Sequence, residues 1–473
     1  MTKKYDVIII GGGSGGLTSA FTAVGLGKKT ALIEGNKTGG ECTWNGCVPS
    51  KSLIAMAHLA QSQSELKKLK LIKSSSLIDA SKALLYVKNI RKSIYDHETP
   101  DVLRQRGIDV YESYGSFINS TTIKCGKEEL SAPKIIIATG SSPFVPPVPG
   151  IESVPYVTNE NFFDMKSFPK SMIVLGGGPI GLEMAQAMTQ LGIKVTVIEM
   201  MDSILFREDE ELVIRLEEHL KKSGLTLAIG QKAVEIKKKG KSVIVSTENS
   251  EGKKKDFTGE GLLVAVGRKP NIESLSLESA GVIFSNRGIT VNNKMQTNIE
   301  NIYCAGDIAG PYQFSHMAEY QAIAATLNAL LPINRKVNYD IVPWTTFTTP
   351  EIAHLGLTEK EARQKYGNKI RVYKREMSEH DRAVTESETL GLMKVIVNKK
   401  GHLIGAHILG PHSGDLIHEG VLLMQFKKKL SSLEGFIYAY PTYADMWKRV
   451  ARLSYMDELQ NKWYIKLLQK LRS

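Results

Sequence analysis

Two cysteines, Cys42 and Cys47, stand with four residues between them in the stretch Gly39-Gly40-Glu41-Cys42-Thr43-Trp44-Asn45-Gly46-Cys47-Val48-Pro49-Ser50-Lys51. Thiols at this spacing can close a small ring that is readily reopened. Such a pair stores two electrons, the number a hydride carries. Pro49 suits the first turn of a helix, which would set Cys47 near a helix N-terminus, where a thiolate is favoured. The other readings are a structural disulfide, half of a metal site, or two unrelated core cysteines. A structural bridge is disfavoured in a reducing compartment, and four cysteines in 473 residues exclude a disulfide-rich secreted scaffold. No nearby His or further Cys completes a zinc set. Cys125 and Cys304 lie in strand-like surroundings and read as core.

A redox pair needs a hydride source and elements to position it. Tyr5 to Ile10 reads as a buried parallel strand, followed by a glycine turn (Gly11, Gly13, Gly16), a helix rich in small residues, and a strand ending in Glu34. The grammar repeats at Met172 to Leu175, with Gly176, Gly178 and Gly181 in the turn and Glu199 closing the next strand. In both copies the acid follows the first glycine by 23 residues. Glycines let the backbone approach a pyrophosphate, and the helix N-terminus offers free N–H groups and partial positive charge. The acid then accepts hydrogen bonds from an adenosine ribose and repels a 2′-phosphate. Glu199 therefore argues for NADH over NADPH; Arg207 is the nearby residue that argues the other way. Two dinucleotide sites imply a bound flavin and a diffusing nicotinamide.

The length suggests about three domains, and a chain that is 42% hydrophobic and 23% charged is globular. No run of about 18 apolar residues is present. The first residues lack the zones of a signal peptide, so a cytoplasmic protein is expected. The net charge of +12 comes in short lysine runs without interleaved aromatics, and these read as solvated faces rather than a nucleic-acid surface. The expected fold class is α/β, with two Rossmann-like dinucleotide-binding domains and an α+β domain at the end. The expected divisions are a first FAD-binding part over 1–150, an NAD(P)-binding domain over 151–270, a second FAD-binding or central part over 271–341, and a C-terminal domain over 342–473. Pro-rich Ser142 to Pro149 reads as the first linker.

Taken together, the two glycine turns, the Cys42 to Lys51 segment, Ala138-Thr139-Gly140-Ser141, Val266 to Asn271 and Ala305-Gly306-Asp307 resemble the FAD-dependent pyridine nucleotide–disulfide oxidoreductases. That family includes dihydrolipoamide dehydrogenase, glutathione reductase and mercuric reductase. Phe347 to Glu351 and Gly405 to Gly410 resemble its dimer-interface domain, so a homodimer is implied. By this resemblance Cys47 matches the thiol that faces the flavin, and Cys42 the outer thiol that attacks the substrate. Lys51 matches a lysine near flavin N5 and Glu183 its ion-pair partner. Asp307 matches the ligand of the flavin ribityl chain. Gly115, Thr139, Gly140 and Ser315 fall at FAD contacts, and Val234 and Gly267 near the nicotinamide nucleotide.

Disulfide-reducing members carry a C-terminal His-Pro, with a Glu five residues after the His, that serves the outer thiol across the dimer. Here Tyr440 stands at the His position and Asp445 at the Glu position. A phenol near 10 is a poor proton shuttle at neutral pH compared with an imidazole near 6.5. A tyrosine there is similar to mercuric reductase, whose metal-ion acceptor leaves no thiol to protonate. Against full mercuric reductase stand the absence of a cysteine pair in Lys466 to Ser473 and of a metal-binding domain before Met1. The expected activity is electron transfer from NAD(P)H through FAD to the Cys42–Cys47 pair and on to a metal ion or small oxidant. The alternatives are a disulfide reductase such as dihydrolipoamide dehydrogenase, and a catalytically idle FAD-binding protein; intact Cys42, Cys47, Lys51 and Glu183 speak against the last. Leu453 to Leu471 reads as one amphipathic helix, with Met456, Leu459, Trp463, Leu467 and Leu471 interleaved by Lys462, Lys466 and Lys470. Packing on the dimer is expected for it ahead of contact with a membrane surface.

Overall fold

The computed structural model describes residues 2–74 and 78–472. In the first unit, β1 (Val7–Ile10) leads through the glycine turn into α1 (Ser14–Gly25) and then β2 (Thr30–Glu34). The thiol-bearing α2 (Cys47–Lys68) follows, then β3 (Ile108–Glu112) and β4 (Ile135–Ile137). Strand β1 is buried along its whole length, which explains why it reads as an unbroken apolar run.

The second unit repeats this build with β5 (Ser171–Leu175), α3 (Pro179–Gln190) and β6 (Lys194–Glu199), completed by β7 (Thr226–Ile229) and β8 (Gly261–Val264). Its parallel sheet has the order β7-β6-β5-β8. The chain then returns to the first unit. Strand β9 (Ile302–Cys304) joins beside β4, giving a parallel sheet ordered β9-β4-β1-β2-β3. Helix α4 (Ser315–Leu330) then packs on α1 through Ala20, Ala23, Ala322 and Ala325.

The two passages between the units are paired to each other. Ser141–Pro143 and Arg268–Pro270 form a short antiparallel ribbon, and Pro149 accepts the backbone N–H of Ile236 at 2.8 Å. The proline-rich stretch is thus a hydrogen-bonded strap rather than a free linker. The thiol helix also crosses the boundary: Leu53, Ile54 and Ala57 of α2 share one core with Leu182, Ala185 and Met188 of α3.

The last unit is an antiparallel sheet of β10 (Pro343–Thr346), β11 (Glu351–Gly356), β12 (Ile370–Glu376), β13 (Leu392–Asn398) and β14 (Leu403–Gly410). Its order is β10-β11-β14-β13-β12. Helices α5 (Ser413–Gln425) and α6 (Asp445–Gln460) close one face around the fully buried Trp447, whose indole donates to Leu416 O at 2.8 Å. Lys394 of β13 is buried and meets three carboxylates, Asp209 at 2.9 Å, Glu211 at 3.1 Å and Glu359 at 2.7 Å. Asp209 and Glu211 come from the second unit, so this cluster joins it to the third.

The single C-terminal helix expected from the apolar spacing is in fact two. Helix α6 ends at Gln460, and α7 (Trp463–Arg472) starts after a break. Asn461 caps the break, its side-chain amide donating to Asp457 O at 2.9 Å; a short amide that competes for backbone partners stops a helix that periodicity alone would continue. Among the described residues, no helix is long and apolar enough to cross a membrane.

Candidate functional site

A cleft of about 2280 Å³ runs between the units. Both glycine turns open into it, together with Glu34, Glu199, Cys42, Cys47, Lys51 and Glu183.

The turns are built alike. Gly11 and Gly176 take φ of +106° and +108°, a region closed to most side chains. A Cβ at Gly16 or Gly181 would overlap the carbonyl oxygen of Gly11 or Gly176, so the third glycine of each turn serves the contact of helix with strand. The middle glycines differ. Nothing lies within 4 Å of a Cβ at Gly178, and only Gly40 at 3.8 Å meets one at Gly13. Free backbone N–H groups at two helix starts therefore face open space, as a pyrophosphate requires. Each acid is fixed beside its turn. Glu34 accepts from the N–H of Gly12 at 2.6 Å and Asn36 at 2.7 Å; Glu199 accepts from Gly177 at 2.6 Å and Met201 at 2.8 Å. The cleft thus has the form two dinucleotides need: room, glycine-lined backbone and oriented carboxylates.

The thiol segment lies against the first turn. Gly39 and Gly40 adopt φ of +89° and +58°, and a Cβ on Gly40 would meet the Cα of Gly13 at 2.5 Å. One short helical turn, Gly40–Trp44, carries Cys42, and α2 begins at Cys47. All four cysteines are free thiols here. Cys47 opens into the cleft, with its Sγ 3.3 Å from the Oγ of Ser315 at the start of α4. Its pKa is lowered to about 6, chiefly by a hydrogen bond from Cys42, with Ser315 and the charge of Lys51 acting the same way against burial. The same bond, with burial, pushes Cys42 up. The pair is polarised into one thiolate and one thiol. Cys125 and Cys304 are buried, and burial raises both.

One turn beyond Cys47, Lys51 Nζ lies 2.8 Å from Glu183 Oε2 and 4.4 Å above the Phe347 ring. The other oxygen of Glu183 accepts the Phe347 N–H at 2.9 Å. Asp307 accepts from Ser141 Oγ at 2.6 Å. Thr139, Gly140, Val234 and Gly267 line the cleft, as do Asp307 and Ser315.

Three sequence-based candidates lie elsewhere. Gly115 does not line the cleft; it is buried in a strand, where a Cβ would press on Ile33 at 3.1 Å and Ile123 at 3.3 Å, so its small size serves packing. Tyr440 is 70% exposed and does not line the cleft that holds the thiols. Its hydroxyl donates to Asp381 at 3.2 Å, and that carboxylate raises the phenol pKa further. Asp445 is held by Arg449 at 2.8 Å rather than by Tyr440, and Arg449 also grips Asp381 at 2.7 Å. Tyr440 and Asp445 therefore share an arginine-centred cluster without touching each other.

Sequence reasoning missed the partners of the thiol turn. Glu41, adjacent to Cys42, forms an ion pair with Arg268 and also accepts from Asn159. Arg268 in turn donates to Ser141 Oγ at 2.8 Å. An acid beside a reactive thiol was the available signal, but its partner is 227 residues away. Trp44, between the cysteines, has Lys37 at 4.0 Å over its ring and Arg91 at 5.4 Å. Among the described residues no group of three or more His, Cys, Asp or Glu is placed to hold a metal ion.

Comparison with known proteins gives two family matches, "Pyridine nucleotide-disulphide oxidoreductase" over residues 5–322 and its dimerisation domain over 342–451. Similar relatives include a mercuric reductase of Bacillus cereus, 32% identical over 93% of this chain and 70% of that protein. A dihydrolipoyl dehydrogenase of Bacillus subtilis is 31% identical over 94% of this chain and 97% of that protein. Among solved structures, the HOCl-induced flavoprotein disulfide reductase RclA from Escherichia coli superposes with a TM-score of 0.86 at 27% identity, covering 95% of this chain and all of that one. RclA has also been solved as a Cu(II) complex, matching with a TM-score of 0.85 at 27% identity over 94% of this chain and 99% of that one.

Proposed function

Because this chain belongs to the pyridine nucleotide–disulphide oxidoreductase family, we propose that it moves two electrons from NADH to the Cys42–Cys47 pair and from there to a thiophilic metal ion or small oxidant. The observation that carries this reading is the polarised thiol pair opening into the same cleft as two glycine turns. FAD held along Gly11, Gly13, Glu34, Thr139, Gly140 and Asp307 would supply the two-electron relay between nicotinamide and sulfur.

The chain's own residues account for the rest. Gly176, Gly178 and Glu199 hold the nicotinamide nucleotide, and the Glu199 carboxylate rejects a 2′-phosphate. Lys51 presents a cation where negative charge builds on reduction, and Glu183 keeps that cation in place. Reducing a Cys42–Cys47 disulfide breaks one S–S bond, takes up two electrons and one proton, and leaves a thiol on Cys42 and a thiolate on Cys47. Ser315 and Lys51 stabilise that thiolate; Cys42 meets the acceptor. A thiophilic cation binds both sulfurs and displaces the remaining proton; as the S–S bond re-forms, its two electrons pass to one Hg²⁺ or, one each, to two Cu²⁺.

Tyr440 favours this acceptor class. A leaving thiol needs a proton donor worth about 10²–10⁴-fold, and the raised phenol supplies little of it at neutral pH. That RclA was solved with Cu(II) supports the same choice. One observation favours the second reading, a disulfide reductase: the buried imidazole of His380 lies 4.0 Å from Asp445.

The test is anaerobic reduction with NADH followed by mixing with Cu²⁺, Hg²⁺, lipoamide or oxidised glutathione. Rapid reoxidation by the metal ions, lost in Cys42→Ser, is expected. Rapid lipoamide turnover with no response to either metal would overturn the proposal in favour of the second reading.

A further inference from the structure

Two neighbouring features at the C-terminal end take no part in the thiol chemistry. The first is α7. Trp463, Leu467 and Leu471 recur every fourth residue on one face and are 75%, 50% and 76% exposed, with Tyr464 at the edge of the stripe. Lys462 and Lys466 flank it, the arrangement of a helix that lies flat at an apolar–polar boundary. The second is a basin of about 470 Å³ beside it, lined by His402, Lys427, Lys428, Lys429 and Lys462. Glu458 is the carboxylate on its wall and pairs with Lys429 at 3.7 Å.

We propose that α7 and this basin dock the enzyme on an anionic phospholipid bilayer. The apolar stripe enters the boundary between headgroups and acyl chains, and the lysines meet lipid phosphates. Charge complementarity selects this occupant: the rim is cationic, and juxtamembrane lysines are drawn to anionic leaflets. Trp and Tyr at the stripe suit the interface, where one end of the ring is apolar and the other wet. A second copy of the chain fits less well, because interface cores are depleted in lysine and the match to the dimerisation domain ends at residue 451, before α7 begins. Ten residues of helix span about 15 Å, half the roughly 30 Å hydrocarbon core, so the attachment is peripheral.

The experiment is flotation of the full-length, flavin-loaded protein with phosphatidylcholine vesicles, with and without phosphatidylglycerol. Binding is expected only with phosphatidylglycerol, falling as salt screens it. The combined Trp463→Ala, Leu467→Ala and Leu471→Ala variant, and separately Lys427→Glu with Lys428→Glu, should each bind at least about tenfold more weakly at unchanged dimer mass. Trp463 fluorescence, isolated as the difference from Trp463→Phe, should shift to the blue on binding. No binding to anionic vesicles at low salt would overturn the proposal. So would binding that survives the triple substitution. Loss of the dimer in that variant would assign the stripe to the subunit contact and overturn it equally.

Discussion

Lys51 Nζ and Glu183 Oε2 stand 2.8 Å apart, although one belongs to the thiol helix and the other to the helix that opens the second nucleotide unit. The Glu183 side chain is 6% exposed and that of Lys51 37%. The pair is asymmetric: the carboxylate depends on its partner, while the ammonium retains water.

Lys51→Met should accordingly destabilise the protein by about 1–3 kcal/mol, less than the roughly 3–5 for breaking a fully buried pair. Glu183→Gln should cost less, since the amide oxygen can still accept from Phe347. Urea unfolding of both single variants and the double variant should give a coupling of about 0.5–3 kcal/mol. A coupling near zero would remove the ion pair from the account.

Alkylation of the reduced, flavin-free protein, in which Cys47 opens into the cleft, should report the thiolate directly. The thiolate form dominates above the pKa, so Cys47 modification by iodoacetamide should climb as pH rises through about 6, rather than near the ordinary value of about 8.5. Ser315→Ala and Lys51→Met each remove a stabilising neighbour and should move the midpoint upward. Site-resolved mass spectrometry reads this, with Cys42 reacting only at higher pH.

Nucleotide preference should follow Glu199. Both carboxylate oxygens are already anchored by backbone N–H groups, so the charge cannot swing away from a 2′-phosphate. The ratio of kcat/KM for NADH to that for NADPH should exceed about tenfold, a difference of roughly 1.4 kcal/mol, and Glu199→Gln should narrow it. Equal use of both nucleotides by the wild type would contradict this role.

Replacing Tyr440 by His should raise lipoamide turnover, and Tyr440→Phe should leave metal-dependent reoxidation unchanged. The gain should fall short of the full ~10²–10⁴ of a general acid, because Asp445 is committed to Arg449. Steady-state assays of the three forms with each acceptor decide it; an unaltered lipoamide rate in Tyr440→His would count against the reading of this position.

Local features of the site were legible because their chemistry is written within a few residues. Gly11 to Gly16 with Glu34, Gly176 to Gly181 with Glu199, and Cys42 to Lys51 each form a contiguous signature whose physical demand is local. The Lys51–Glu183 pair was accessible only through resemblance. The Glu41–Arg268 ion pair and the Lys394 cluster were not, since each joins residues from separate units and no periodicity encodes a contact across that distance. At Gly115 the structure adds a packing constraint that the local sequence does not show: a Cβ there would press on Ile33 and Ile123. At the C-terminus, apolar spacing ran through Asn461 without a proline or glycine to mark the stop, and only the side-chain bond to Asp457 reveals it.

Lys394 also governs how the enzyme can move. With Asp209 and Glu211 on one side and Glu359 on the other, all within 3.1 Å of a buried ammonium, a swing of the nucleotide-binding body away from the antiparallel sheet would part Lys394 from two of its three carboxylates and leave it with Glu359. The cluster thus rivets the second unit to the antiparallel sheet, and parting them breaks two charge-assisted contacts at once.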